Sequence, residues 1–426
     1  MGFAQKRLTT VSLASLLLLL LVSDNAYAGK QNGKGGSDEI SRLAEHKATA
    51  TSNHTADDHH AITTMVTERM RESGRRKLGN SACGTGNHID DCWMCSSVSW
   101  EQNPKLLADC GYGFGKATTG GRDGDLYYVT DDRDDDIVNP PPGTLRHGVL
   151  QDKPLWIMFK RNMVIHLKAE LIITNDKTID GRGVNVVLTG GGCITIQDVQ
   201  NIIVHGLTIY GCQAVGGFEI RSSMSHVGVR ELSDGDAISI SHSKNIWIDH
   251  NTLSACKDGL VDVVAGSDAI TISNNHFSNH NETILLGHLD TYTADKDMHV
   301  TLVYNRFGEK LIQRLPRCRL GTFHVVNNYY EGWEMYAIGH SANPTILSQG
   351  NVFNAATYGV KEVVHVNEEG DRSGNVLSVG DEMLGGAIFT ATGSLSPSFY
   401  AKAASLTVRS PHMVDDMTKH AGAGFV

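Results

Sequence analysis

The chain lacks an excess of positive charge: its 426 residues carry 37 Lys and Arg against 47 Asp and Glu, a formal net charge of −10. A nucleic-acid partner is therefore not expected, and an anionic ligand would need a local basic patch or a metal. Long apolar runs are also missing, save one from Val11 to Val22, which is too short to span a membrane comfortably. Cysteines are too few, eight in the whole chain, to build a disulfide scaffold, so local staples are expected. Beyond Cys110 the apolar residues do not recur at three and four, which argues against helical repeats.

What is present begins with an address. Lys6 and Arg7 precede the apolar run, and Ala26-Tyr27-Ala28 follows it, the pattern of a secretory signal peptide cut after Ala28. Residues 1–28 are read as that peptide, 29–80 as a polar extension, and 81–426 as one domain acting outside the cell. In the extension Ile62, Met65, Val66 and Met70 fall at helical spacing, and the scattered histidines read as solvated. Asn53 and Asn281 begin glycosylation sequons. Four cysteines between Cys83 and Cys110 suggest a knotted leading segment, and Cys193 and Cys212 could close a short loop. Cys256 and Cys318 could be buried thiols or a pair.

After Cys110 short β-type runs alternate with Gly, Asn and Asp. Ile246-Trp-Ile-Asp-His-Asn-Thr-Leu253 parallels Ile270-Thr-Ile-Ser-Asn-Asn-His-Phe277, and Val300-Thr-Leu-Val-Tyr-Asn-Arg-Phe307 parallels Phe323-His-Val-Val-Asn-Asn-Tyr-Tyr330. Asn251, Asn275, Asn305, Asn328 and Asn351 thereby recur at 24, 30, 23 and 23 residues. A period in the low twenties made of short strands is a solenoid signature. At about 3.3 Å per residue it suffices for one coil of three strands. The pattern predicts an all-β, right-handed parallel β-helix, with the stacked asparagines bonding along its axis. A β-sandwich with chance asparagines is the blander alternative. The long interval implies an insertion between Phe277 and Val300, and a terminal helix is expected near Met413–His420.

The chemistry concentrates between Asp234 and Arg319. Asp234 and Asp236 are two apart, Asp258 and Asp262 four apart, so extended backbone would aim each pair from one face. Neighbouring coils would then gather four carboxylates, which suits a hard cation, calcium before magnesium. Arg314, Arg317 and Arg319 follow, with Arg306 and Lys310 ahead of them and Pro316 fixing the backbone. Arginines beside a cation suit a polyanion bearing carboxylates. The plain alternatives are a solvated acidic loop pair, and arginines that merely neutralise it.

The chain resembles a plant pectate lyase, a polysaccharide lyase with a parallel β-helix. The resemblance is carried by Cys92-Trp-Met-Cys95, Leu107-Ala-Asp-Cys110, Val129-Thr-Asp131, Asn139-Pro-Pro-Pro-Gly-Thr-Leu-Arg146, Thr178-Ile-Asp-Gly-Arg-Gly183, Asp234-Gly-Asp-Ala-Ile-Ser-Ile240, Trp247-Ile-Asp-His250, Asp258-Gly-Leu-Val-Asp262, Leu286-Gly-His288 and Ile312-Gln-Arg-Leu-Pro-Arg-Cys-Arg319. It implies Ca2+ held by Asp234, Asp258 and Asp262, with Asp236 as a further ligand. It also implies Arg314 as catalytic base and Arg319 as substrate-carboxylate ligand, with Arg317, inside the same motif, as a further substrate-binding residue. Where family members often carry Lys, this chain has Glu282. The implied reaction is β-elimination in polygalacturonate; a monomer is expected, with no membrane or nucleic-acid partner. A hydrolase on the same solenoid is disfavoured by the arginine cluster and by the lack of an obvious isolated acid. A non-catalytic pectin-binding wall protein is the other alternative.

Overall fold

Described here from a computed structural model are residues 84–367, 370–394 and 406–424; residues 1–83, where a signal peptide and a polar extension are expected, lie outside them. Among the described residues the chain winds through three long sheets of ten, eight and nine strands, one strand per sheet in each full coil. Nearly every pairing within them is parallel, as in Ile246–Ile270–Val300–Phe323–Ile346 of the ten-stranded sheet. This is the parallel β-helix that the period predicted.

The interior is a set of columns. Asn251, Asn275, Asn305 and Asn328 are wholly buried, and each donates its backbone N–H to the side-chain oxygen of the next, at 2.9, 3.0, 2.9 and 2.8 Å. Asn351 ends the column by donating to Asp381 Oδ1 at 2.7 Å. Each Nδ2 also bonds a backbone carbonyl one coil back, so the turn's polar groups are satisfied without water. Two residues on, Phe277, Phe307, Tyr330 and Phe353 stack with centroids 5.2, 4.5 and 4.4 Å apart. Each buried ring contributes roughly 1.5–3 kcal/mol of transfer energy.

Two outer segments clamp the coils. The helix His88–Met94, capped by Asn87, lies over the ten-stranded sheet and is stapled to the next segment by Cys92–Cys110. From there residues 113–121 run along the coils, their N–H groups donating to Thr301, Thr271 and Thr178. The C-terminal stretch forms a short helix, Val414–Thr418, and packs along the coils as well: Gly422 donates to Asn274 O and Ala423 to Thr252 Oγ1. Cys193–Cys212 forms within the solenoid, whereas Cys256 and Cys318 remain separate thiols.

Candidate active site

The eight-stranded sheet carries the site. In its register Ser239, Asp262, Leu285, Arg317 and Gly339 occupy one column, so Arg317 sits two coils beyond Asp262 on the same face. Just before each strand the chain turns into the sheet, and these turns stack too. Ala237 N bonds Gly259 O, Leu260 N bonds Thr283 O, and Ile284 N bonds Arg314 O at 2.7 Å. Asp236, Asp258, Glu282 and Arg314 are thereby brought onto successive coils.

One expectation needs correcting. Asp234, Asp236 and Asp258 lie in the turns ahead of the strands Ile238–Ser241 and Val261–Val264, and only Asp262 is on a strand. Spacing along extended backbone therefore does not align the pairs. Gly235, at φ +93°, reverses the chain between the first two aspartates, leaving Asp234 exposed and Asp236 buried. The turn itself gathers the carboxylates instead. Asp236 Oδ1 accepts the N–H of Gly259 at 2.7 Å. A side chain on Gly259 would begin 2.3 Å from Asp262 Oδ1 and 3.1 Å from Asp236 Oδ1, so both oxygens crowd the space that glycine leaves open.

Crowding shows in the protonation of these acids. Burial, then the charges of Asp258 and Asp234, push Asp236 up to about 7 despite its bond to Gly259. Burial, Asp236 and Asp258 raise Asp262 well above the usual carboxylate range, with Arg314 opposing. Asp258 is raised by desolvation, Glu282 and Asp234 against Arg314 and Lys257. Such a cluster cannot ionise fully without an added cation. Its donors are all carboxylate oxygens, and the space beside Gly259 gives them a common focus, so the residues fit a hard divalent ion.

The arginines are held differently from one another. Arg314, at φ +61°, pairs with Glu282 at 2.9 Å, both side chains about a third exposed or less. Arg317 is buried and donates to Ser341 Oγ at 2.9 Å. Ser341 in turn donates to Asp290 at 2.7 Å, and Asp290 lies 3.1 Å from Arg319 Nε. Arg319 also donates to the carbonyls of Gly287 and His288. Burial and Arg317 lower the Arg319 pKa from its ordinary value, while Asp290 opposes. Arg306 does not join this group: it is on the nine-stranded sheet, paired with Glu331 and Asp415. Lys310 is tied through its backbone carbonyl, which accepts the N–H of His280 at 3.0 Å. Asp290 and the Glu282–Arg314 pair escaped sequence reasoning, although the Leu-Gly-His-Leu-Asp run marked the loop that delivers Asp290.

A second cluster offers metal-type ligands: atoms of His205, Asp249 and His250 lie within 4.8 Å of one another. They are already engaged. Asp249 Oδ2 accepts from both histidines at 2.8 Å, its Oδ1 accepts from Ser273 and Asn274, and His250 Nε2 meets Asp90 at 3.2 Å. This hydrogen-bonded cluster anchors the helix His88–Met94, with Arg182 and Asp180 paired beside it at 2.6 Å.

Comparison with known proteins points to one family. Residues 166–425 match the family model described as pectate lyase. An Arabidopsis thaliana protein described as probable pectate lyase 8 is 56% identical over 375 residues, 87% of this chain and 90% of that protein. A Zinnia elegans pectate lyase is 55% identical over 368 residues, 85% of this chain and 91% of that protein. The crystal structure of Jun a 1, the major allergen from cedar pollen, superposes with a TM-score of 0.75 at 46% identity, covering 79% of this chain and 99% of that one. A Bacillus pectate lyase solved in complex with trigalacturonate shares the fold at 22% identity and a TM-score of 0.53, over 74% of this chain and 98% of that one.

Proposed function

The chain belongs to the pectate lyase family, and from that premise we propose that it is a secreted, calcium-dependent enzyme cleaving α-1,4-linked polygalacturonate by β-elimination. One observation carries the reading: successive coils bring Asp236, Asp258 and Asp262 to one edge of a sheet on which Arg314, Arg317 and Arg319 follow. The polyanion resolved on the Bacillus relative is of the substrate class that such an edge would take. A wall location follows from the signal-type leader and from pectin as substrate.

Asp234, Asp236, Asp258 and Asp262 would hold the calcium ion. Bound there, calcium would neutralise a uronate carboxylate and favour negative charge on the carbon α to it. Arg319, fixed by two carbonyls and Asp290, presents its remaining donor edge to a second substrate carboxylate in a set orientation. Arg317 and Ser341 brace Asp290 from behind. On this reading Arg314 accepts the C5 proton. As that C–H bond breaks, its electrons form the C4–C5 double bond and the glycosidic oxygen leaves C4 with its electron pair. No water is consumed.

The test is ultraviolet absorbance on polygalacturonate at about pH 8–9, with calcium and then with excess chelator. A calcium-dependent rise supports the reading. Reducing ends without absorbance would mean hydrolysis, and binding without either would mean a non-catalytic wall protein.

A further inference from the structure

The outward face of the eight-stranded sheet is open at one end of the site and covered at the other. In its register Ile172 and Thr195 precede Ser239 and Asp262, and the same column runs on through Arg317 to His365. Ser239 and Asp262 are half-buried and His365 is 33% exposed, whereas Ile172 and Thr195 are each only 6% exposed. What covers those two strands is an antiparallel hairpin, Phe218–Ser223 paired with His226–Arg230. It leaves the strand Thr208–Gln213 and rejoins the coils just ahead of Asp234. Ile220, 1% exposed, packs in one apolar cluster with Ala169 and Ile172. Arg230 forks onto Glu170, Nε to Oε2 and Nη2 to Oε1, both at 3.0 Å. Its Nη1 donates to Gln197 Oε1 at 3.0 Å, and Glu170 Oε1 also accepts from Thr195 at 2.9 Å. The hairpin is thus latched to the sheet itself. Arg221 ties it further to the carbonyls of Ile137 and Val138, and residues 131–136 just before them carry five aspartates.

We propose that this hairpin is the end wall of the polymer groove and sets how many sugars are read on the calcium side. The identity of the polymer rests on the lyase reading above. Strands lie about 4.8 Å apart, so the two covered strands remove about 10 Å of floor beside the aspartates. A bound galacturonan then runs from Asp236 across Arg314 and Arg317 towards His365, and its stretch on the calcium side stops at the hairpin. A polyanion passing over the hairpin meets the aspartates of residues 131–136, which oppose it.

The experiment measures kcat/KM for purified oligogalacturonates of increasing length at saturating calcium. Three proteins are compared: wild type, a variant with residues 218–230 replaced by a short Gly-Ser turn, and Arg230→Gln, which loses the fork onto Glu170. With the hairpin cut away, kcat/KM should go on rising for about two more sugars, one for each strand uncovered. Arg230→Gln should move the plateau in the same direction, and the shortest oligomer cleaved should keep its wild-type rate in both variants. A plateau at the same length in both variants overturns the proposal, as does an equal loss of rate at every length. The hairpin ends beside Asp234, so the rise in melting temperature on adding calcium is recorded for each protein. If the shortened chain does not fold or loses that rise, Arg230→Gln alone decides. Equilibrium binding of the same oligomers reads the groove's length without turnover. If wild type forms no double bond, the lyase reading fails, while the length dependence of binding still decides the role of the hairpin.

Discussion

Gly259 has no side chain, and carboxylate oxygens of Asp262 and Asp236 occupy the approach to its α-carbon. Gly259→Ala must push Asp262 aside, since real contacts at 2.3 Å do not occur. The calcium needed for half-maximal activity is expected to rise about tenfold in that variant, the effect of disturbing a ligand's support. A calcium titration of the absorbance assay reads it, and an unchanged midpoint would remove the cation from this cradle. Arg314→Lys tests the base. Lysine cannot reproduce the guanidinium's fork towards Glu282 and the reacting carbon. Turnover should fall by about a hundredfold or more while polygalacturonate binding persists. Near-normal turnover would exclude Arg314 as the proton acceptor.

At the scale of elements, the asparagine column and the clamped helix set stability. Asn305 accepts from Asn275 N and Nδ2 and donates to Asn328 and to Ile272 O, all without solvent. Asn305→Ala strands several buried groups and should cost about 2–4 kcal/mol, more than one average hydrogen bond. Chemical denaturation measures this, and a loss below about 1 kcal/mol would mean the column is ornamental. The helix His88–Met94 docks through a cation. Burial disfavours charge on His250, but Asp249 and Asp90 outweigh it and hold the pKa at about 10. Its unfolded value is about 6.5. The stability it adds is therefore complete below about pH 6.5 and drains as pH rises through about 10. The wild-type melting temperature should fall across that window, and His250→Gln should flatten the fall while lowering stability at neutral pH by about 3–5 kcal/mol. Equal alkaline slopes in the two proteins would place the titration elsewhere.

Across the whole molecule, the site spans coils rather than one segment, so occupying it should tie those coils together. An ion that binds the folded chain alone adds about 2.7 kcal/mol at a hundred times its dissociation constant. Calcium should therefore raise the melting temperature by a few degrees for a domain of this size. Asp262→Asn should abolish most of that rise without changing the melting temperature in chelator by much, because the lost charge is one its neighbours oppose. A calcium shift retained in that variant would move the ion away from Asp262.

The coil period was legible because a solenoid repeats its contacts: Asn251 to Asn351 and Phe277 to Phe353 must recur wherever each coil meets the next. Motif identity likewise marked the aspartates and arginines, since their spacing within each run is local. What local spacing misjudged was orientation. Asp234, Asp236 and Asp258 lie in turns, where a glycine at positive φ, rather than strand alternation, decides which way a carboxylate faces. Arg306 looked like part of the arginine cluster because it is near in sequence, yet the coil carries it to another sheet. The sequence alone determined that coils would stack and which charged residues they would bear. Only the tertiary structure decided that Glu282 meets Arg314 and Asp290 meets Arg319, because those contacts cross from one coil or loop to another, and register between coils is set by the packed interior.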